Sequence, residues 1–96
     1  MSRVVLSPRA KADLGEIWDY TLIRWGVDQA EKYLRELWRE LERLAENPAV
    51  AVDIGNVRTG YRKFRVGSHV AFFRTTATGI DVVRILHQRM DFERHL

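Results

Sequence analysis

Tyr61-Arg62-Lys63-Phe64-Arg65-Val66, then Gly67-Ser68, then His69-Val70-Ala71-Phe72-Phe73-Arg74-Thr75, is the stretch whose reading decides the fold. In the first run side chains change character at every second residue, the period of a β-strand, and both runs are rich in aromatic and β-branched types. Gly67-Ser68 divides them, and glycine supplies the positive φ that a two-residue hairpin turn demands. A third run, Ile80 to Leu86, follows Ala77-Thr78-Gly79, a second turn signal. The expectation is a three-stranded antiparallel meander.

Upstream the period lengthens. Arg3 to Leu6 is a short β-branched strand, and Ser7-Pro8 offers an N-cap hydroxyl followed by proline at the first helical position. Ala10, Leu14, Ile17, Trp18, Thr21 and Trp25 form one stripe at helical spacing until Gly26, predicting a first helix over Pro8 to Trp25. Asp28 and Glu31 have the spacing of a capping box, and Ala30, Leu34, Leu37, Leu41 and Leu44 continue a second stripe that Asn47-Pro48 stops. So short a connection predicts an antiparallel helix hairpin, with Trp18, Trp25, Leu34, Leu37, Trp38 and Leu41 in the core. Glu31, Lys32, Arg35, Glu36, Arg39, Glu40, Glu42 and Arg43 alternate in sign on the opposite side, as a solvated helix face does. Ala49 to Val57 reads as a surface loop.

The order is therefore β-α-α-β-β-β: an α+β fold with the helix hairpin on one face of a small, mainly antiparallel sheet, the first strand joining its edge. At 96 residues this is one domain, 1–96. With no cysteine there is neither a disulfide framework nor a thiolate metal site, and a reducing cytoplasm is the expected location. The amino terminus turns polar too soon for a signal h-region or a membrane span.

The second meander strand is apolar on both faces, with Val70 and Phe72 on one and Ala71 and Phe73 on the other. One hairpin of helices covers only one face. The other is either shielded by the segment after Asp91 or left for a partner. Charge is uneven as well. The net charge is +3, and from Arg58 onward Arg58, Arg62, Lys63, Arg65, Arg74, Arg84, Arg89 and Arg94 face only Asp81, Asp91 and Glu93. Thirteen arginines against three lysines favour planar carboxylate or phosphate contacts. The helices carry no basic recognition face, so sequence-specific duplex reading is not expected. No Gly-rich phosphate loop, Gly-x-Ser-x-Gly elbow or Cys/His cluster occurs, and His69, His87 and His95 are scattered; no metal and no cofactor are expected.

The run from Gly60 to Arg74, followed by Val83-Arg84-Ile85-Leu86-His87-Gln88-Arg89-Met90-Asp91, resembles the carboxy-terminal signature of ParE toxins of the RelE/ParE superfamily. Arg84, Leu86, His87 and Asp91 match that family's Arg-x-Leu-His-x-x-x-Asp pattern, and Leu6-Ser7-Pro8-x-Ala10-x-x-Asp13-Leu14 resembles its amino terminus. The resemblance implies the toxin of a bacterial type II toxin–antitoxin pair, a non-catalytic poison of DNA gyrase held inactive by a ParD-like antitoxin that folds on binding. A hetero-oligomer with the antitoxin is expected, and no membrane partner.

RelE-like relatives with the same fold cut messenger RNA on the ribosome, which requires cations and acid–base groups to converge on the open sheet face. By that resemblance the nuclease's lysines fall on Tyr61 and Lys63, its strand arginine on Val70, its later arginine on Arg89 and its terminal tyrosine on His95. Half of the set is replaced, so no catalytic residue is assigned. The target-binding candidates are Lys63, Arg65, Arg74, His87 and Arg89. The antitoxin-binding candidates are Tyr20, Ile23, Arg62, Arg65, Val70, Phe72, Arg74 and Arg84. Tyr20 and Ile23 fall off the buried stripe, whereas Arg62 and Arg84, set among apolar residues, have Asp81 or Asp91 as alternative partners.

Overall fold

In the computed structural model, which describes residues 3–96, the chain runs β1 (Arg3–Leu6), α1 (Pro8–Trp25), α2 (Val27–Glu46), β2 (Val52–Asp53), β3 (Tyr61–Val66), β4 (His69–Thr75) and β5 (Gly79–His87). Single 3-10 turns occupy Pro48–Val50 and Phe92–Arg94. The sheet order is β1-β5-β4-β3-β2, with β1 parallel to β5 and all other pairs antiparallel. The expected α+β architecture is present, with one strand more than the sequence pattern announced. β2 lies in the stretch read as loop and pairs Val52 and Asp53 with Lys63 and Arg62. Two residues are too few to show a period.

α1 starts as its residues dictate. The Ser7 hydroxyl accepts from the Ala10 amide at 3.0 Å, and the same hydroxyl donates to the Val83 carbonyl at 2.7 Å, tying the helix start to the sheet. α2 departs from expectation. Its N-cap is Gly26, at φ +91°, with no side-chain cap bond, so Asp28 sits inside the first turn and the Asp28/Glu31 capping box does not form. Asp28 still favours that end of the helix through the macrodipole.

Two hydrophobic clusters sandwich the sheet. On the helix side Ile17, Leu37, Leu41 and Leu44 pack on Val66, Ala71, Phe73, Ile80, Val82 and Ile85. On the far side Phe72, Leu86 and Ile54 are buried beneath Phe92 and Leu96, so the carboxy-terminal segment shields the second apolar face. Trp25 (65 % exposed) and Trp38 (39 % exposed) are not core residues, and Trp18 and Leu34 are half-buried. Trp25 is the last residue of α1, at the tip of the helix hairpin.

A bulge in β5 makes both clusters possible. Phe73 pairs with Val82 but Phe72 with Arg84, leaving Val83 as the extra residue. Ile80 and Val82 before the bulge and Ile85 after it therefore all face the helices, while Leu86 turns to the far side. Two glycines fix the neighbouring contacts. Gly67 turns the β3–β4 hairpin at φ +58°, where a Cβ would meet the Tyr33 ring, and a Cβ on Gly79 would fall inside the backbone of Arg3.

Candidate functional site

β1 pairs with β5 only from Gly79 to Val82, so the rest of β5 needs another neighbour. α1 supplies it with Asp13, an acid on the buried stripe Ala10, Asp13, Ile17, Thr21. The Asp13 carboxylate accepts from the Ile85 amide at 2.9 Å and from Arg84 at 2.8 Å through Nε and 2.9 Å through the second guanidinium nitrogen. Asp13 is 6 % exposed, and this fork-to-fork bonding is what makes its burial tolerable. The same hydrogen bonds stabilise the charged form of Arg84 and raise its pKa further. Arg84 thus pairs with Asp13, not with Asp81 or Asp91; those acids pair with Arg74 (3.7 Å) and Arg94 (3.5 Å). A longer bond, 3.4 Å, joins Arg84 to the His95 carbonyl in the terminal segment.

Past this ion pair, α1, the start of α2 and the end of β5 enclose a groove of about 650 Å³. Ile17, Tyr20, Trp25 and Met90 give it apolar walls, and Tyr33, His69 and His87 stand at its sheet end. The Tyr33 hydroxyl accepts from the Ser68 amide (3.1 Å) and lies 2.7 Å from His69 Nδ1. Burial lowers the His69 pKa to about 4, with the nearby His87 adding to the effect, and burial raises that of Tyr33. His69 is therefore neutral at pH 7. The His69 and His87 rings meet edge to face at 5.4 Å, and His87 Nδ1 accepts from the Arg89 amide at 3.2 Å.

The opposite sheet face carries a different chemistry. Phe92 stacks on Phe72 at 5.1 Å, and Lys63 Nζ stands 4.9 Å from the Phe92 ring centroid. Arg58 and Arg74 flank Tyr61 at 5.8 and 6.0 Å, and Arg58 also donates to the Leu96 carbonyl.

The candidate residues fall on both faces. Lys63, Arg65 and Arg74 lie on the terminal-segment face with Val70 and Phe72, while His87 opens on the groove and Arg89 follows it in an exposed turn. Tyr20 and Ile23 are 61 % and 87 % exposed on α1. Arg62 turns to the helix side and donates to the Ala51 carbonyl. Phe72, 1 % exposed beneath Phe92, is no contact surface while the terminal segment is in place. The sequence reading gave Asp13, Tyr33 and His69 no place in a site: Asp13 entered only through the amino-terminal resemblance and His69 only as one of the scattered histidines. Asp13 alone had a signal, a carboxylate on an apolar stripe. Among the described residues no group of three or more His, Asp or Glu is placed to hold a metal ion, and no helix is long and apolar enough to cross a membrane.

Residues 4–92 match the family model described as ParE toxin of type II toxin-antitoxin system, parDE. The chain belongs to the ParE toxin family. Toxin ParE1 of Mycobacterium tuberculosis is 57 % identical over 96 residues, covering 99 % of this chain and 98 % of the relative. Toxin ParE1 of Caulobacter vibrioides is 47 % identical, covering 95 % and 94 %, and Toxin ParE of Escherichia coli is 33 % identical, covering 100 % and 94 %. A chain of the chromosomal ParDE TA system from P. aeruginosa has the same fold, with a TM-score of 0.74 over 91 % of this chain and 96 % of that one at 21 % identity. This ParE-family toxin thus combines a groove beside β5 with a basic face strapped by its own terminal segment.

Proposed function

We propose that this toxin poisons DNA gyrase in the bacterial cytoplasm by binding it, without turning over a substrate, and that a ParD-like antitoxin neutralises it as a hetero-oligomer. The observation that supports binding over RNA cleavage is that the groups a nuclease would need do not converge. Lys63 lies on one sheet face beneath Phe92, His87 opens on the other, and Arg89 and His95 lie in the turn and the terminal segment. Val70, uncharged and half-buried, stands where a nuclease would place a cation. Loss of one such stabilising charge lowers a rate by on the order of 100-fold or more. On this reading Lys63, Arg65 and Arg74, with Arg89 and His87 nearer the groove, form the target-binding surface, and the antitoxin covers part of it together with Tyr20 and Ile23.

Purified toxin, refolded free of antitoxin, is assayed side by side for inhibition of gyrase supercoiling and for ribosome-dependent RNA cleavage. Inhibited supercoiling with intact RNA is the expected result. Codon-phased RNA cuts with unaffected gyrase would overturn the proposal.

A further inference from the structure

The sheet face beneath the terminal segment holds several cations in fixed places and few acids to answer them. By register Tyr61, Lys63 and Arg65 of β3 share this face with Arg74, Phe72 and Val70 of β4. Arg58 joins them from the loop before β3. Its guanidinium lies 5.8 Å from the centre of the Tyr61 ring, that of Arg74 lies 6.0 Å from the same ring, and Lys63 Nζ lies 4.9 Å from the centre of Phe92. Among the described residues Arg58, Lys63 and Arg65 form no ion pair with an Asp or Glu, and Arg74 has only the long, exposed contact to Asp81 at 3.7 Å. The outer surface of α2 is the contrast. There the charges alternate in sign, and Arg43 pairs with Glu40 at 2.9 Å.

We propose that this face is a contact surface for the phosphate backbone of duplex DNA, so that the toxin grips DNA held by gyrase as well as the enzyme itself. This rests on the reading that gyrase is the target. Same-face residues of a strand stand about 6.8 Å apart, so the Arg58–Tyr61–Arg74 group, Lys63 and Arg65 form a row along β3 in step with every second phosphate of a DNA strand, which carries one charge per about 3.4 Å of axis. Two observations select the duplex among polyanions. Single strands are held by bases that stack on open aromatic rings. Here the rings are taken, Tyr61 by two guanidiniums and Phe92 by Phe72, stacked at 5.1 Å, and by Lys63. An acidic peptide that orders as it binds must bury apolar surface to offset its lost entropy. At the centre of this face Phe72 is 1 % exposed and Val70 is half-buried, so little is left for it. A duplex brings its charges already ordered and requires only cations. Contacts confined to phosphates position the protein without reading bases, so binding is independent of sequence.

The test is fluorescence anisotropy of the toxin, free of antitoxin, with a labelled mixed-sequence DNA duplex of about 20 base pairs at about 50 and about 200 mM salt. Four phosphate contacts predict a loss of affinity of about 100-fold between the two conditions. Arg65→Gln and Arg74→Gln, at exposed positions, are each expected to weaken binding about tenfold at the lower salt and to reduce the salt slope by about one, whatever the duplex sequence. Lys32→Gln, on the outer surface of α2, removes the same charge and is expected to leave the slope unchanged. No binding at the lower salt overturns the proposal, as does a slope that Arg65→Gln and Arg74→Gln together do not change. Tighter binding of a single strand of the same length, or of polyglutamate, also overturns it. So does full inhibition of supercoiling by the double variant once its duplex binding is lost. A toxin that binds the duplex in this way but leaves gyrase unaffected removes the gyrase reading and keeps the surface, so the two fail separately.

Discussion

The two faces of the sheet are equally apolar along β4 but are covered in unequal ways. Ala71 and Phe73 lie under two long helices, whereas Val70 and Phe72 lie under the short segment that carries Phe92 and Leu96. The first cover is made of two regular helices that pack on residues of β1, β3, β4 and β5. The second holds by one aromatic stack, one leucine and carbonyl bonds from Arg58 and Arg84. Burial of the same kind of residue is thus cooperative with the fold on one side and local on the other, and the local side is where the basic residues gather.

That contrast can be broken most severely from the helix side. Phe73→Ala, at a position with no exposure, is expected to cost about 3–5 kcal/mol, read as a loss of denaturation midpoint with unchanged m-value. Asp13→Ala comes next, at about 3 kcal/mol, because it strands the Arg84 charge and the Ile85 amide together; a melting temperature within a degree or two of wild type would refute the bridging role. Phe92→Ala should cost about 1–2 kcal/mol and, unlike Phe73→Ala, should speed exchange around Phe72 without loosening the helices.

The smallest effect is a titration. The folded state holds His69 neutral with its pKa lowered to about 4, below the unfolded value near 6.5. The unfolded chain therefore binds the proton first as pH falls, so the stability contributed by neutral His69 is complete above about pH 6.5 and is lost progressively towards pH 4. A His69→Gln variant should show a shallower loss of stability across that window, and an identical pH profile would assign the loss to other groups.

Much of the fold was legible in the chain because its signals are local. Ser7-Pro8 marks the start of α1, period-two runs mark β3 to β5, and Gly67-Ser68 marks a tight turn. The candidate site was legible only in part. Tyr20 and Ile23 stand exposed because helical geometry places them off the buried stripe, a property of spacing alone. The partner of Arg84 was not legible, since Asp13 lies 71 residues away and only the early stop of β1 brings the two together. Trp25 and Trp38 read as core because periodicity shows which side of a helix is apolar but not which positions along it a neighbour covers.

What the sequence determined by itself was the order of elements, the two-sided apolarity of β4 and the concentration of cations after Arg58, all set by residue type and spacing along the chain. Tertiary structure alone decided that the terminal segment covers the second face, that Asp13 stands in for the missing end of β1, and that Lys63 and His87 lie on opposite faces of the sheet. The reason is physical: short-range preferences fix the periodicity of each element, whereas a bulge of one residue in β5, with no local signature, sets which side chains each face receives.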